Sequence, residues 1–393
     1  MEHENQELEK LTKAFWAGLG LLVLVGLIMV LSSSYILAQE VYGNSAHLFV
    51  RQLFFVGIAL VLALIISRTK ITFWIKISPF LAMIASLAIA LTFATSWGNS
   101  VKGASRWLEI GSFRLQPGEF AKYATLLYSI YFFENFDRLS INLRMFHFVN
   151  LFMPMGLLVL QPDFGSFFIC FSIIASICYL SSFPRKIFYP TLIGGIIASA
   201  AILMAQPYRV RRLLTFLDPW KNPQGSGFQI IQSYLAFANG AVFGTGLGNS
   251  NEKLFYLPEA HNDFIFSVIG EELGFAGVLA FILAYMFLIL MGFRIALRLR
   301  DKKARLLVAG ITFTIGIQAL VNMGVVLGLL PTKGLNLPFV SSGGSSMIAN
   351  FIGVGLIMAA VRSCTKDTFT SDNPMGPGLR EQTAFGGNSY FRG

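Results

Sequence analysis

Residues 15–31 read FWAGLGLLVLVGLIMVL, with no ionisable side chain. A helix of about 20 such residues crosses the hydrocarbon core of a bilayer, and about 17 to 25 are tolerated. The polar, acidic stretch Met1 to Lys13 precedes this run, which is too long for the apolar core of a cleavable leader. The segment is therefore expected to remain as an uncleaved signal anchor. Runs of the same character begin near Leu53, Pro79, Glu119, Phe146, Phe164, Tyr189, Phe264, Leu306 and Gly344. The pattern predicts an all-α polytopic membrane protein of about ten transmembrane helices.

Composition agrees. Of 393 residues, 55% are hydrophobic, 13% are charged and 38 are Phe. A soluble protein carries about 25% charged residues, and a soluble domain of this length could not hide so much apolar surface; lipid serves as the solvent instead. The net charge of +10 does not point to nucleic acid, because the basic residues fall between apolar runs with no basic helix or aromatic-basic repeat. It reflects orientation and contact with anionic membrane lipids. Cys170, Cys178 and Cys364 lie in or beside apolar runs without metal-ligand spacing and read as small buried hydrophobes.

Loop charge sets the orientation. Arg68, Lys70, Lys76, Arg138, Arg144, Arg185 and Lys186, and the cluster Arg294, Arg298, Arg300, Lys302, Lys303 and Arg305, are all cytoplasmic if the N-terminus is inside. An even number of spans then returns the C-terminus to the cytoplasm. The expected organisation is a cytoplasmic tail at 1–14, a transmembrane domain at 15–364 and a disordered cytoplasmic tail at 365–393 rich in Gly, Asn and Pro. A large extracytoplasmic loop, 206–262, joins helices seven and eight. Loops this long in a compact fold are functional or disordered; its scattered Phe, Tyr, Trp and Leu predict order, with Leu235 to Phe243 as a short amphipathic segment on the membrane. No internal repeat is visible, which disfavours the inverted-repeat transporter folds.

Ionisable groups at membrane depth are expensive and are functional candidates. Glu119 and Lys122, spaced i, i+3, share a helix face and can pair; they fix helix packing or line a polar cavity. Asp163 follows Pro162 and is placed to N-cap the next helix. Glu271 and Glu272 lie two turns into the eighth span, where at least one must face the bundle interior. Asp263 opens that span after the long loop. It reads as a helix cap or as a carboxylate at the outer membrane boundary, where apolar Phe264 and Ile265 would favour a general base. Arg106, Arg114, Arg209, Arg211 and Arg212 fall outside, against the usual bias. They contact anionic headgroups or clamp a pyrophosphate in the bidentate manner Arg permits. Gly244-Thr245-Gly246-Leu247-Gly248 has the look of a phosphate loop but follows no strand. The Ser/Gly-rich run Ser341 to Ser346 permits close helix packing or an irregular turn.

Several blocks occur together in a fixed order: Arg106-Trp107, Gln116 to Lys122, Gln161-Pro162-Asp163, Gly246 to Ser250, Pro258 to Phe264, Pro331 to Gly334, Pro338 to Ser341 and Gly343 to Ser346. In this the chain resembles the SEDS (shape, elongation, division and sporulation) family, the FtsW/RodA/SpoVE type, from about Phe15 to Arg362. Pro258-Glu259-Ala260-His261 and Pro331-Thr332-Lys333-Gly334 are closer to its division branch than to its elongation branch. Gly118 stands where the family usually has Ser, and Ser342 where it usually has Tyr, departures that touch packing rather than chemistry.

The resemblance implies a peptidoglycan glycosyltransferase of septal wall synthesis in the bacterial inner membrane. Its substrate would be lipid II, and its partners a class B, FtsI-like penicillin-binding protein and other divisome proteins. Asp263 matches the family's essential aspartate and would be the catalytic base. Arg106, Trp107, Glu119, Lys122, Asp163, Arg209, Arg212, His261, Lys333 and Ser345 are the expected substrate-binding residues. No cofactor is required by the sequence; Mg2+ or Mn2+ would assist, though no metal-ligand cluster is visible. The competing readings are a lipid II flippase, which needs polar groups along a path across the whole bilayer, and a non-catalytic divisome scaffold, which would not need Asp263.

Overall fold

Backbone polar groups in hydrocarbon must bond within their own segment, so each long apolar run becomes a helix. The computed structural model describes residues 2–95, 98–101, 104–111, 113–205, 207–225, 227–250 and 260–371. Its helices are α1 (Glu2–Tyr42), α2 (His47–Ser67), α3 (Ile71–Ala94), α4 (Pro117–Asn135), α5 (Ile141–Leu160), α6 (Phe164–Leu180) and α7 (Arg185–Met204), followed by α8 (Pro207–Leu217) and α9 (Phe228–Gly240), then α10 (Ile265–Arg298), α11 (Lys302–Val326) and α12 (Gly344–Ser371). Among the described residues, 8 helices are long and apolar enough to cross a membrane. The short apolar α6 and α4, which Glu119 and Lys122 interrupt, pack among them and complete the ten expected positions. The backbone of α1 begins at Glu2 and that of α12 runs to Ser371, so both expected tails have helical parts; residues 372–393 lie outside the described residues.

Local signals explain the boundaries. Pro117 occupies the first turn of α4, where its missing N–H costs nothing. Asp163 caps α6 and Asp301 caps α11. Pro79 lies within α3 and cannot bond the Ile75 carbonyl; the Ser78 hydroxyl donates to that carbonyl instead, at 2.7 Å. In the bundle α2 packs on α12, α1 on α10 and α3 on α4. The most apolar stretches of α11 and α12 are each 78% buried, whereas that of α7 is only 6% buried and stands at the periphery.

Two features differ from the sequence expectation. The first is a small antiparallel sheet between α3 and α4, with β1 (Gly98–Val101), β2 (Ala104–Ile110) and β3 (Phe113–Leu115) in that order. An open sheet edge is not tolerated in hydrocarbon, which puts the sheet beyond the membrane core. Its local signal is the strand-favouring Trp107 and Ile110, with Leu108 buried and Glu109 paired to Arg114 at 2.7 Å across β2 and β3.

The second concerns α9, expected from Leu235 to Phe243 on the membrane surface. It runs from Phe228 to Gly240 and packs along the first half of α10, burying Ile230, Ile231, Ser233 and Ala236. Beyond it the chain enters a break in α10. Gly274 has φ 66° and ψ −169°, outside the helical region. A continuous helix would bond the N–H groups of Phe275 and Ala276 to the carbonyls of Glu271 and Glu272. Those N–H groups donate instead to Ala241 O at 2.9 Å and Val242 O at 3.0 Å. The Glu271 and Glu272 carbonyls accept from Thr245 N–H at 2.9 Å and Gly246 N–H at 3.0 Å. The Gly-rich run at 244–248 therefore fills a broken helix, and these two amides are not free to cradle a phosphate. Both glutamate side chains are buried: Glu272 accepts from the Ser32 hydroxyl at 2.6 Å and Glu271 from the Ser250 hydroxyl.

Candidate active site

An open cleft of about 680 Å³ lies where β2, the start of α6, α8 and the α11–α12 connection meet. Arg106, Asp163, Arg212, Lys333 and Gly334 are among its lining residues. Asp263 stands at its edge: a Cβ built on Gly334 would lie 2.8 Å from Asp263 Oδ2 and 3.6 Å from Arg106 Nη1. Carboxylate and guanidinium thus converge on one backbone position that only a residue without a side chain leaves open.

Each group is held from behind. The Arg106 Nη2 donates to the Pro162 carbonyl at 2.6 Å, and its Nε is buried without a hydrogen-bond partner, so the guanidinium keeps donor capacity. Gln161 ties this strand to the bundle, donating to Thr92 Oγ1 at 2.5 Å and Ser105 O at 3.0 Å. The Arg212 Nη1 approaches the Thr332 carbonyl at 3.5 Å. The Lys333 ammonium lies 5.2 Å from the centre of the Phe164 ring and 5.0 Å from that of Phe168. Burial pushes its pKa down, and the negative charge of Asp163 partly restores it. Asp163 itself accepts from the Ser166 N–H at 3.2 Å and hydroxyl at 2.7 Å, the expected capping arrangement. Three cations and this one capped carboxylate line the cleft, a field that suits a polyanion.

The N-cap position of α10 is Phe264, whose own side chain makes no capping hydrogen bond. Asp263 lies in the turn 260–264 just before the helix. The carbonyls of His261, Asn262 and Asp263 accept, in order, from Ser342 N–H at 3.0 Å, Ser341 Oγ at 2.7 Å and Asn322 Nδ2 at 2.8 Å. The Ser/Gly-rich run is thus the irregular turn that holds this segment.

The other expected site residues fall elsewhere. Glu119 and Lys122 form a pair of 2.7 Å buried inside the bundle, with Lys122 also donating to Gln318 Oε1 at 2.6 Å; neither lines the cleft. Ser345 accepts from Gln116 N–H at 3.0 Å and donates to Arg114 O at 3.2 Å, which ties α12 to the sheet instead of facing a substrate. Trp107 and His261 are not among the cleft-lining residues, and the Arg209 side chain lies outside the described residues. Reading the sequence missed Gln318, Asn322, Phe164 and Phe168. Two carboxamides at i, i+4 in an apolar helix were the available signal for the first two. Among the described residues, no group of three or more His, Cys, Asp or Glu could hold a metal ion.

Known proteins bear on this arrangement. The FtsW/RodA/SpoVE family profile, described as a cell cycle protein, matches residues 12–366. A probable peptidoglycan glycosyltransferase FtsW from Aliivibrio salmonicida is 39% identical over 355 residues, covering 89% of this chain and 88% of that protein. One from Coxiella burnetii is 38% identical, covering 86% of this chain and 92% of that protein. A chain from a peptidoglycan synthase complex, solved to describe the coordination of polymerisation and crosslinking, superposes with TM-score 0.68 at 29% identity, over 89% of this chain and 98% of its own. The rod shape determining protein RodA of Thermus thermophilus superposes with TM-score 0.64 at 26% identity, over 89% of this chain and 96% of its own. Both the sequence and the bundle therefore place this chain in the FtsW/RodA/SpoVE family of membrane proteins.

Proposed function

We propose that this chain is a peptidoglycan glycosyltransferase that polymerises lipid II in septal wall synthesis, with Asp263 as its general base. The observation that carries the reading is the Asp263 carboxylate meeting the Arg106 guanidinium over Gly334 at the edge of a cation-lined cleft. Proteins it resembles in sequence, those of Aliivibrio salmonicida and Coxiella burnetii among them, bear the name of that activity.

In the proposed reaction, Asp263 takes the proton from the 4-hydroxyl of an acceptor N-acetylglucosamine. The freed oxygen attacks the anomeric carbon of a donor N-acetylmuramic acid. The bond from that carbon to the lipid pyrophosphate breaks, the pyrophosphate leaves with the electron pair, and configuration inverts. Charge grows on the leaving group, where fixed donors lower the barrier. Arg106, Arg212 and Lys333 fill that role. No step runs through a metal. A Mg2+ or Mn2+ ion would be carried by the pyrophosphate, and chelation of divalent cations during the assay tests this. The cleft faces the outside of the inner membrane, both termini lie in the cytoplasm, and a class B penicillin-binding protein crosslinks the strands made at the septum.

The test is polymerisation of purified lipid II by the full chain, alone and with that partner. Wild type should give glycan ladders and Asp263→Asn none, while the variant still inserts and folds. Near-normal ladders from Asp263→Asn would overturn Asp263 as base. Absence of ladders from both folded proteins would overturn the enzyme reading in favour of transport or scaffolding.

A further inference from the structure

We infer that Asn322, deep in α11, is a positioning residue for Asp263, an inference that rests on the proposed role of that aspartate. Asn322 is 1% exposed. Its single amide nitrogen donates to two carbonyls from different parts of the chain, Asp263 O at 2.8 Å and Leu335 O at 2.6 Å. Leu335 directly follows Lys333 and Gly334, the segment over which Asp263 and Arg106 meet. One side chain thus sets the spacing between the turn that bears the base and the strip of backbone beneath the reacting groups.

The chemistry of the contact is selective. Both neighbours are acceptors, so only the NH2 end of the amide can face them; the Oδ1 end is buried without a partner on the other side. An aspartate of the same shape would set oxygen against oxygen. A leucine would leave two buried carbonyls unbonded.

Asn322 is also the end of a chain of contacts. One turn earlier on the same helix, Gln318 donates to the Asn336 carbonyl at 2.8 Å and accepts from Lys122, which pairs with Glu119. The buried ion pair, itself outside the cleft lining, thereby braces the strip at 335–336 that Asn322 joins to the catalytic turn. On Asp263 the Asn322 amide bonds the backbone carbonyl, so it shapes where the carboxylate stands; both its bonds go to backbone, not to the cations of the cleft.

This predicts a split in the kinetics. Asn322→Ala and Asn322→Asp should lower kcat for lipid II by about 100-fold, the scale expected when a reacting group is displaced by about 1 Å. KM should stay near wild type, and the acid limb of the rate profile should shift because the surroundings of the base have changed. Thr314→Val, which alters only a hydroxyl bonded to its own helix, should change neither. Should Asn322→Ala not fold, Asn322→Asp and Ser341→Ala carry the test; the latter removes the donor to the adjacent Asn262 carbonyl. Wild-type kcat and acid limb in the folded variants would overturn the inference. So would a fall in kcat with an unmoved limb that tracks lost thermal stability. Asp263→Asn run alongside separates the failures: if it polymerises normally the base assignment fails, and if it is dead while the Asn322 variants are normal, only the positioning role fails.

Discussion

Lys333 shows how one residue's surroundings set its chemistry. Two phenylalanine faces and a burial that lowers its pKa surround the ammonium, and Asp163 is the negative charge that helps to keep it protonated. If Lys333 holds the leaving pyrophosphate as proposed, it works only while protonated. Activity should therefore be full below the lowered pKa and fall as pH rises through it, earlier than an ordinary lysine would allow. The alkaline limb of kcat/KM, which reports the free enzyme, measures this. Lys333→Arg keeps a permanent charge and should move the limb to higher pH; an unmoved limb would remove Lys333 from the profile. At this scale the sequence was partly legible. Residue type and setting singled out Arg106, Asp163, Arg212 and Asp263, and the family resemblance added Lys333; the structure gathers these five at one cleft. Asn322 was not singled out, because its role lies in two backbone contacts that no side-chain motif announces. Ser345 misled for the opposite reason: a hydroxyl beside a glycine-rich run suggests a ligand, yet both its bonds go to backbone of the sheet and of the start of α4.

Among the elements, α10 departs furthest from the regular form. Gly274 has a positive φ, and a Cβ there would stand 2.7 Å from the Val242 carbonyl oxygen and overlap Gly244 N. Gly274→Ala faces about 1 to 3 kcal/mol from this glycine-only backbone conformation alone, before any overlap. Its thermal midpoint in detergent should fall by several degrees, with faster proteolysis of the α9–α10 segment. A midpoint equal to wild type would mean that the break tolerates a side chain. The break was hidden in the sequence because Glu271-Glu272-Leu273-Gly274 sits in an otherwise apolar run, and one glycine does not distinguish a continuous helix from two halves. The same ambiguity hid α9, whose apolar face reads equally as membrane-facing or helix-facing until its neighbour is known. Eight of the ten runs were plain because length and hydropathy alone decide them; α4, broken by Glu119 and Lys122, and the short α6 needed their packing partners as well.

For the whole molecule, the arrangement concentrates polar function at one end. The sheet, the cleft, α8 and the turn that bears Asp263 lie together, while the basic connections such as α10–α11 lie at the other end, where Lys302 pairs with Glu134 at 2.9 Å and Arg298 with Glu7 at 2.8 Å. If the basic end is cytoplasmic, single cysteines in a background lacking Cys170, Cys178 and Cys364 will report it. Asn44→Cys, in the exposed α1–α2 turn, should react with an impermeant maleimide on intact spheroplasts. Ser182→Cys, in the exposed α6–α7 turn, should react only after permeabilisation. The reverse pattern would invert the topology and the site with it. The crossing of segment 241–246 through the gap in α10 leaves a further mark on how such a chain can change over generations. Its four bonds run from backbone to backbone, so the side chains of Thr245 or Phe275 can be exchanged without altering them, whereas the loss or gain of one residue on either strand of the crossing puts all four partners out of step at once. Drift by substitution is open at those non-glycine positions, while the positive-φ glycines Gly244 and Gly274 and the length of the stretch are held.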